Sequence, residues 1–148
     1  AVYPPYFIGP ERLAVLHRRR GEAGVHEMPD FFAALRAVGL PLSPVFAGGG
    51  HRTTQDREQW SSACNFLAVR PGQLISYRRN DATLAELARH GFRMVASTDF
   101  LTGNASIADG EQVVVTVEGA EMVRGGGGPR PKAKLRNQAA CHRTRNQC

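Results

Sequence analysis

Cysteine is scarce in this 148-residue chain, and its three copies, Cys64, Cys141 and Cys148, form no CxxC pair and have no histidine at metal-ligand spacing. Cys141 and His142 are adjacent, and neighbouring side chains diverge, so a closed four-ligand zinc site is not expected. One cysteine in the first 130 residues also argues against a disulfide framework. No apolar run approaches the roughly 18 residues of a membrane span, and the N-terminus has neither a charged leader region nor a long apolar one. The expected compartment is the cytoplasm, with no membrane partner. A starting Met is missing too, and Ala1-Val2-Tyr3 reads like the middle of a strand, so the expectation is that the natural beginning lies upstream.

Acidic residues are absent from residues 131–148, where Lys132, Lys134, Arg136, Arg143 and Arg145 lie. Those five of the 19 basic residues leave 14 against 13 acids elsewhere, so a body near neutrality carries a basic tail that holds +5 of the overall +6. A nucleic-acid arm on a small α/β body is the weaker alternative reading, because the aromatics (7% of residues) fall at core spacing rather than as a stacking platform. The tail has no period of 2 or 3.6 and is expected to be disordered.

What is present reads as an α/β chain of ordinary domain size, with 42% hydrophobic and 22% charged residues. Pro10-Glu11 at one end and Arg18-Arg19-Arg20-Gly21 at the other, with Leu13, Leu16 and His17 on one face, predict a helix whose arginines are solvated at its C-terminus. Asp30 caps a second predicted helix through Phe31, Leu35 and Val38 to Gly39. Leu42 to Phe46 read as a short strand entering Gly48-Gly49-Gly50. These glycines suit either a tight turn or a loop that brings main chain close to a ligand; His51-Arg52 exclude a phosphate-binding Walker loop. Phe66–Val69 and Leu74–Tyr77 flank Pro71-Gly72, a type II turn pair, and predict a hairpin. Asn80-Asp81 begin a helix with Leu84, Leu87 and Ala88 inward, ended by Gly91, and Phe92–Ala96 follow as a strand. Residues 99–110 read as loop, and Gln112–Val117 as a β-branched strand.

Three segments together resemble the C-terminal region of arginine deiminases. Arg57-Glu58-Gln59-Trp60 leads through Asn65 and Leu67 to Pro71-Gly72; Tyr77, Arg79, Asn80, Thr83, Leu87 and Gly91 follow at the family's spacing; and Gly119-Ala120-Glu121 runs through Arg124 to the glycines 125–128, Pro129 and Arg130. The resemblance divides the chain into residues 1–130, similar to the family, and a divergent tail, 131–148. It implies a partial five-bladed α/β propeller of the pentein type, C-terminal blades only, and hydrolysis of L-arginine to L-citrulline and ammonia without a cofactor or metal. A guanidinium must be gripped by carboxylates, attacked at carbon by a thiolate and given a proton on the departing nitrogen, so the chemistry asks for Cys, His and Asp or Glu.

In the family the nucleophile follows the glycine-rich segment. Here Pro131 occupies that position, with no sulfur and no backbone N–H. The family's His-x-Asp falls upstream of Val2, so the resemblance assigns no catalytic residue to this chain and implies that it is inactive alone. Gly125 matches a glycine whose backbone faces the substrate. Arg57, Trp60, Asn65 and Arg124 match supporting positions, the first three read as packing and loop fixation. Cys64 does not stand where the family attacks and reads as a small buried hydrophobe. A homo-oligomer is left open.

Overall fold

The computed structural model describes residues 1–119. Arg124, Gly125, Pro131 and the basic tail therefore lie outside the described residues. In chain order the elements are α1 (Pro4–Phe7), β1 (Val15–His17), β2 (His26–Met28), α2 (Phe31–Ala37), α3 (Arg52–Trp60), β3 (Leu67–Arg70), β4 (Gln73–Tyr77), α4 (Asp81–Arg89), β5 (Arg93–Ala96), α5 (Ser97–Leu101) and β6 (Val113–Val117). The α/β content is as the sequence implies.

The four-stranded sheet runs β3-β4-β6-β5. β3 and β4 form the predicted hairpin, Leu67 opposite Ile75, with Gly72 at φ +76° in the turn. β6 enters between β4 and β5, parallel to both, with Val115 level with Ile75 on one side and Val95 on the other. A run of four valines and a threonine suits this central place: Val113 and Val114 are fully buried. α4 lies on one face, where Leu84 and Leu87 meet Val114, with Val45, Phe66, Leu74, Phe92 and Met94 packed around them. The other face is an apolar groove of about 320 Å³ lined by residues that include Val69, Ile75, Phe100, Leu101, Val115 and Val117.

The second predicted helix forms as α2, where Asp30 accepts from the Ala33 N–H at 2.7 Å. The first does not. Residues 15–17 are instead a strand paired antiparallel with β2, Leu16 opposite Glu27. A short helix is marginal in water without a surface for its apolar stripe, and Leu13 and Leu16 remain exposed here. Strand pairing across the Gly21 turn (φ +90°) satisfies the backbone instead. The arginines at 18–20 are solvated, as expected, but on a loop.

Leu42–Phe46 is not a strand either. Pro44 has no N–H to give a ladder, and the extended segment makes one bridge, between Phe46 and Val2, with the Val2 N–H bonded to Val45 O at 2.9 Å. Within the predicted loop 99–110, residues through Leu101 belong to the short α5. Among the described residues no helix is long and apolar enough to cross a membrane.

Candidate functional site

α3 carries the Arg57-Glu58-Gln59-Trp60 segment, and it is a helix without an apolar stripe. It is held by polar contacts. Glu58 is fully buried, and its carboxylate accepts from the Ala82 N–H at 2.9 Å, the Thr83 N–H at 2.9 Å and the Thr83 hydroxyl at 2.6 Å. Those two N–H groups are among the unpaired donors at the start of α4, whose own Asn80 side chain makes no capping bond. A glutamate on one helix thus caps the next, placing negative charge at the positive end of the α4 dipole.

The Thr83 hydroxyl also accepts the Gly48 N–H at 2.9 Å. Gln55 Nε2 donates to Gly49 O at 2.7 Å, and Asn80 Nδ2 donates to Ser61 O at 3.2 Å. The glycine loop, α3, the turn after it and the start of α4 are therefore one buried polar junction. Gly48 is required there: at φ +78° its Cα faces the α3 backbone, and an added Cβ would stand 2.3 Å from Gln55 Cα. Of the two readings open for these glycines, the described residues display the turn, closed by the Gly49 N–H on Phe46 O at 3.2 Å, with Gly48 packed on the α3 backbone.

Arg57 is exposed, its guanidinium reaching Glu58 Oε1 at 3.3 Å. Asn65 is exposed, and it fixes its loop through a backbone bond to Ser62 O at 3.0 Å. Trp60, at the end of α3, is 87% exposed among the described residues, and the helix buries its opposite side. Sequence reasoning named Glu58 and Thr83 only as parts of the resemblance and Gly48 only as a loop glycine, and did not join the three in one site. A lone glutamate in a polar stretch gives no signal for burial; the one available clue is that Glu58 and Thr83 fall in two segments of the same resemblance.

Beside the junction, Tyr3, Tyr6, Arg52, Asp56, Gln59 and Trp60 line an open cleft of about 560 Å³. Tyr3 donates its hydroxyl to Asp56 Oδ1; Arg52 Nε reaches the same oxygen at 2.9 Å and its Nη1 reaches Glu11 at 2.7 Å. The Tyr3 bond, with help from Arg52, lowers the Asp56 carboxyl below its usual range; the same bond raises the Tyr3 phenol. Cys64 is half-buried, and desolvation pushes its thiol up, away from the thiolate that a nucleophile requires. Among the described residues no three of His, Cys, Asp and Glu gather as metal ligands.

Comparison with known proteins bears on the segments that build this junction. The family described as arginine deiminase matches residues 17–132. The arginine deiminase of Lactococcus lactis subsp. cremoris (strain MG1363) is 33% identical over 99 residues, covering 63% of this chain and 24% of the relative. That of Streptococcus uberis is 35% identical over 109 residues (72% of this chain, 22% of the relative), and that of Mycobacterium marinum 33% over 102 (69% and 20%). The chain thus spans less than a quarter of the length of each of these relatives. No solved structure matches. With both motif segments joined at Glu58 inside the matched stretch, the chain belongs to the arginine deiminase family.

Proposed function

We propose that this chain is the C-terminal frame of an enzyme that hydrolyses L-arginine to L-citrulline and ammonia, and that as written it is inactive alone. In that reaction a cysteine thiolate forms a bond to the guanidinium carbon, and ammonia leaves with a proton from a histidine. Water then attacks the thiouronium carbon, returning a proton to the histidine, and the thiolate departs as citrulline forms. Pro131 stands where the resemblance places that thiolate, and no residue of this sequence matches the family's histidine and its carboxylates. Gly125 would present backbone to the substrate, with Arg124 beside it. Arginine is the substrate of the complete protein, and no cofactor takes part. The cytoplasm is the compartment we assign.

The observation that carries this reading is the family match over residues 17–132. The Glu58 junction supports it by giving the matched residues a framing role. The groove on the bare face of the sheet supports the accompanying fold proposal, that β3 to β6 with α4 belong to a five-bladed pentein propeller whose other blades cover that face. A chimera tests it. Residues 17–119 replace the matched stretch of the Lactococcus lactis arginine deiminase, whose remaining sequence is kept. A folded chimera that forms citrulline from arginine supports the reading; one that folds and binds arginine but forms none contradicts it.

A further inference from the structure

The spacing 52, 56, 59 and 60 places Arg52, Asp56, Gln59 and Trp60 along one side of α3. Glu58 points the other way, into the buried junction. Across the cleft stand Tyr3 and Tyr6, their rings 4.9 Å apart at 81°. Tyr6 is 49% exposed and Trp60 87%, so two aromatic rings border the space with solvent on them.

The lining carries one cation and one anion, and they are paired with each other. Arg52 is the cation, and that guanidinium is committed to two carboxylates, Asp56 within the cleft and Glu11 at its margin. Arg52 is thereby neutralised, its second partner Glu11 standing outside the lining residues. Both bonds to Asp56 fall on Oδ1, so the other carboxylate oxygen retains its capacity to accept. Aromatic faces carry negative quadrupole potential and attract cations lying over them, most strongly for tryptophan. An anion would meet an already neutralised arginine; an apolar ligand would meet charged rims.

We propose that the cleft between α1 and α3 is a binding site for an organic cation, a guanidinium or alkylammonium head resting on Trp60 and Tyr6 with its charge toward Asp56. The site is separate from the Glu58 junction and does not depend on the deiminase reading. The same chemistry is offered by a free amino-acid cation and by basic side chains in a polypeptide, such as residues 132–136 of this chain.

Trp60 is the single tryptophan, so its emission reports the site directly in the full-length chain. The probes are Nα-acetyl-arginine amide, tetramethylammonium chloride and a peptide copying residues 132–136, with sodium chloride at equal ionic strength as reference. Saturable changes in emission are expected for all three cations and none for sodium. Tighter binding of the peptide than of acetyl-arginine amide assigns the natural source to polypeptide; the reverse order assigns it to a free cation. Asp56→Asn weakens binding about fivefold, the size of one exposed charge contact. Arg52→Gln removes the resident cation and tightens binding about threefold, a gain that a damaged fold does not produce. Changes that are linear and equal to those of sodium chloride overturn the proposal, as do parent-like affinities in both variants.

Discussion

The hydroxyl of Thr83 donates to Glu58 at 2.6 Å while accepting the Gly48 N–H at 2.9 Å, so one side chain ties the first turn of α4 to both α3 and the glycine loop. The arrangement is satisfied in both directions. Glu58 is a buried carboxylate, acceptor in all its bonds, and the groups facing it are donors. Such a carboxylate is tolerable only because its hydrogen bonds are complete.

Glu58→Gln turns one acceptor oxygen into an NH2 that confronts backbone N–H groups. Destabilisation of about 3 kcal/mol is expected, within the range for breaking a buried, charged hydrogen-bond set. Thr83→Val, which keeps shape but loses the hydroxyl, is expected to cost about 1–2 kcal/mol. Urea unfolding measures both; losses under about 0.5 kcal/mol, the size of ordinary surface changes, would show that the junction does not hold α3 to α4.

Gly48→Ala should be worse than a change of loop propensity alone. The residue sits at φ +78°, and the new methyl would stand 2.3 Å and 2.6 Å from Gln55 backbone atoms. A loss of at least about 2 kcal/mol is expected from clash and backbone strain together. Gly50→Ala is the control: it has open space around the added carbon and no positive φ, so it should leave the melting temperature nearly unchanged.

Acid sensitivity should trace in part to Glu111. The Arg93 guanidinium, and secondarily the Ala108 N–H, hold its carboxyl down to about 2 from an ordinary 4.5. A folded value below the unfolded one means that the contribution is complete above pH 4.5 and fades as pH falls toward 2. Asp56, lowered chiefly by the Tyr3 hydroxyl and also by Arg52, acts with the same sign. Urea midpoints measured from pH 6 to pH 3 should therefore fall, and less steeply in Glu111→Gln. Parallel curves for parent and variant contradict the assignment.

Cys64 should alkylate more slowly than an unfolded thiol, because burial raises its thiol pKa and limits access. Iodoacetamide labelling at pH 8, followed by mass spectrometry of the Cys64 peptide in native buffer and in urea, reads this directly. Faster labelling in the native chain would make Cys64 an activated thiol and reopen its candidacy as a nucleophile.

The parts legible in the sequence are those whose signals are local. The Pro71-Gly72 turn announces the hairpin, Asp30 starts α2, Gly91 stops α4, and the valine run makes β6 central. Where partners at a distance decide, the reading fails. Residues 10–21 carry helical spacing and end caps, but no surface receives Leu13 and Leu16, and β2 offers a strand partner instead. Conversely, α3 has no apolar period to reveal it, since its anchoring comes from Glu58 and Gln55, whose partners lie up to 25 positions away. The same reason hid Glu58 among the candidate site residues. Its burial is a property of α4's unpaired N–H groups and cannot be read from its own neighbours.

The proposed function makes this chain a deiminase frame without the sulfur that would attack arginine. Incubating the purified 148-residue chain with L-arginine and measuring citrulline against a buffer blank tests it most directly. The account predicts citrulline at the level of the blank. Sustained citrulline formation that scales with the concentration of the chain would contradict it.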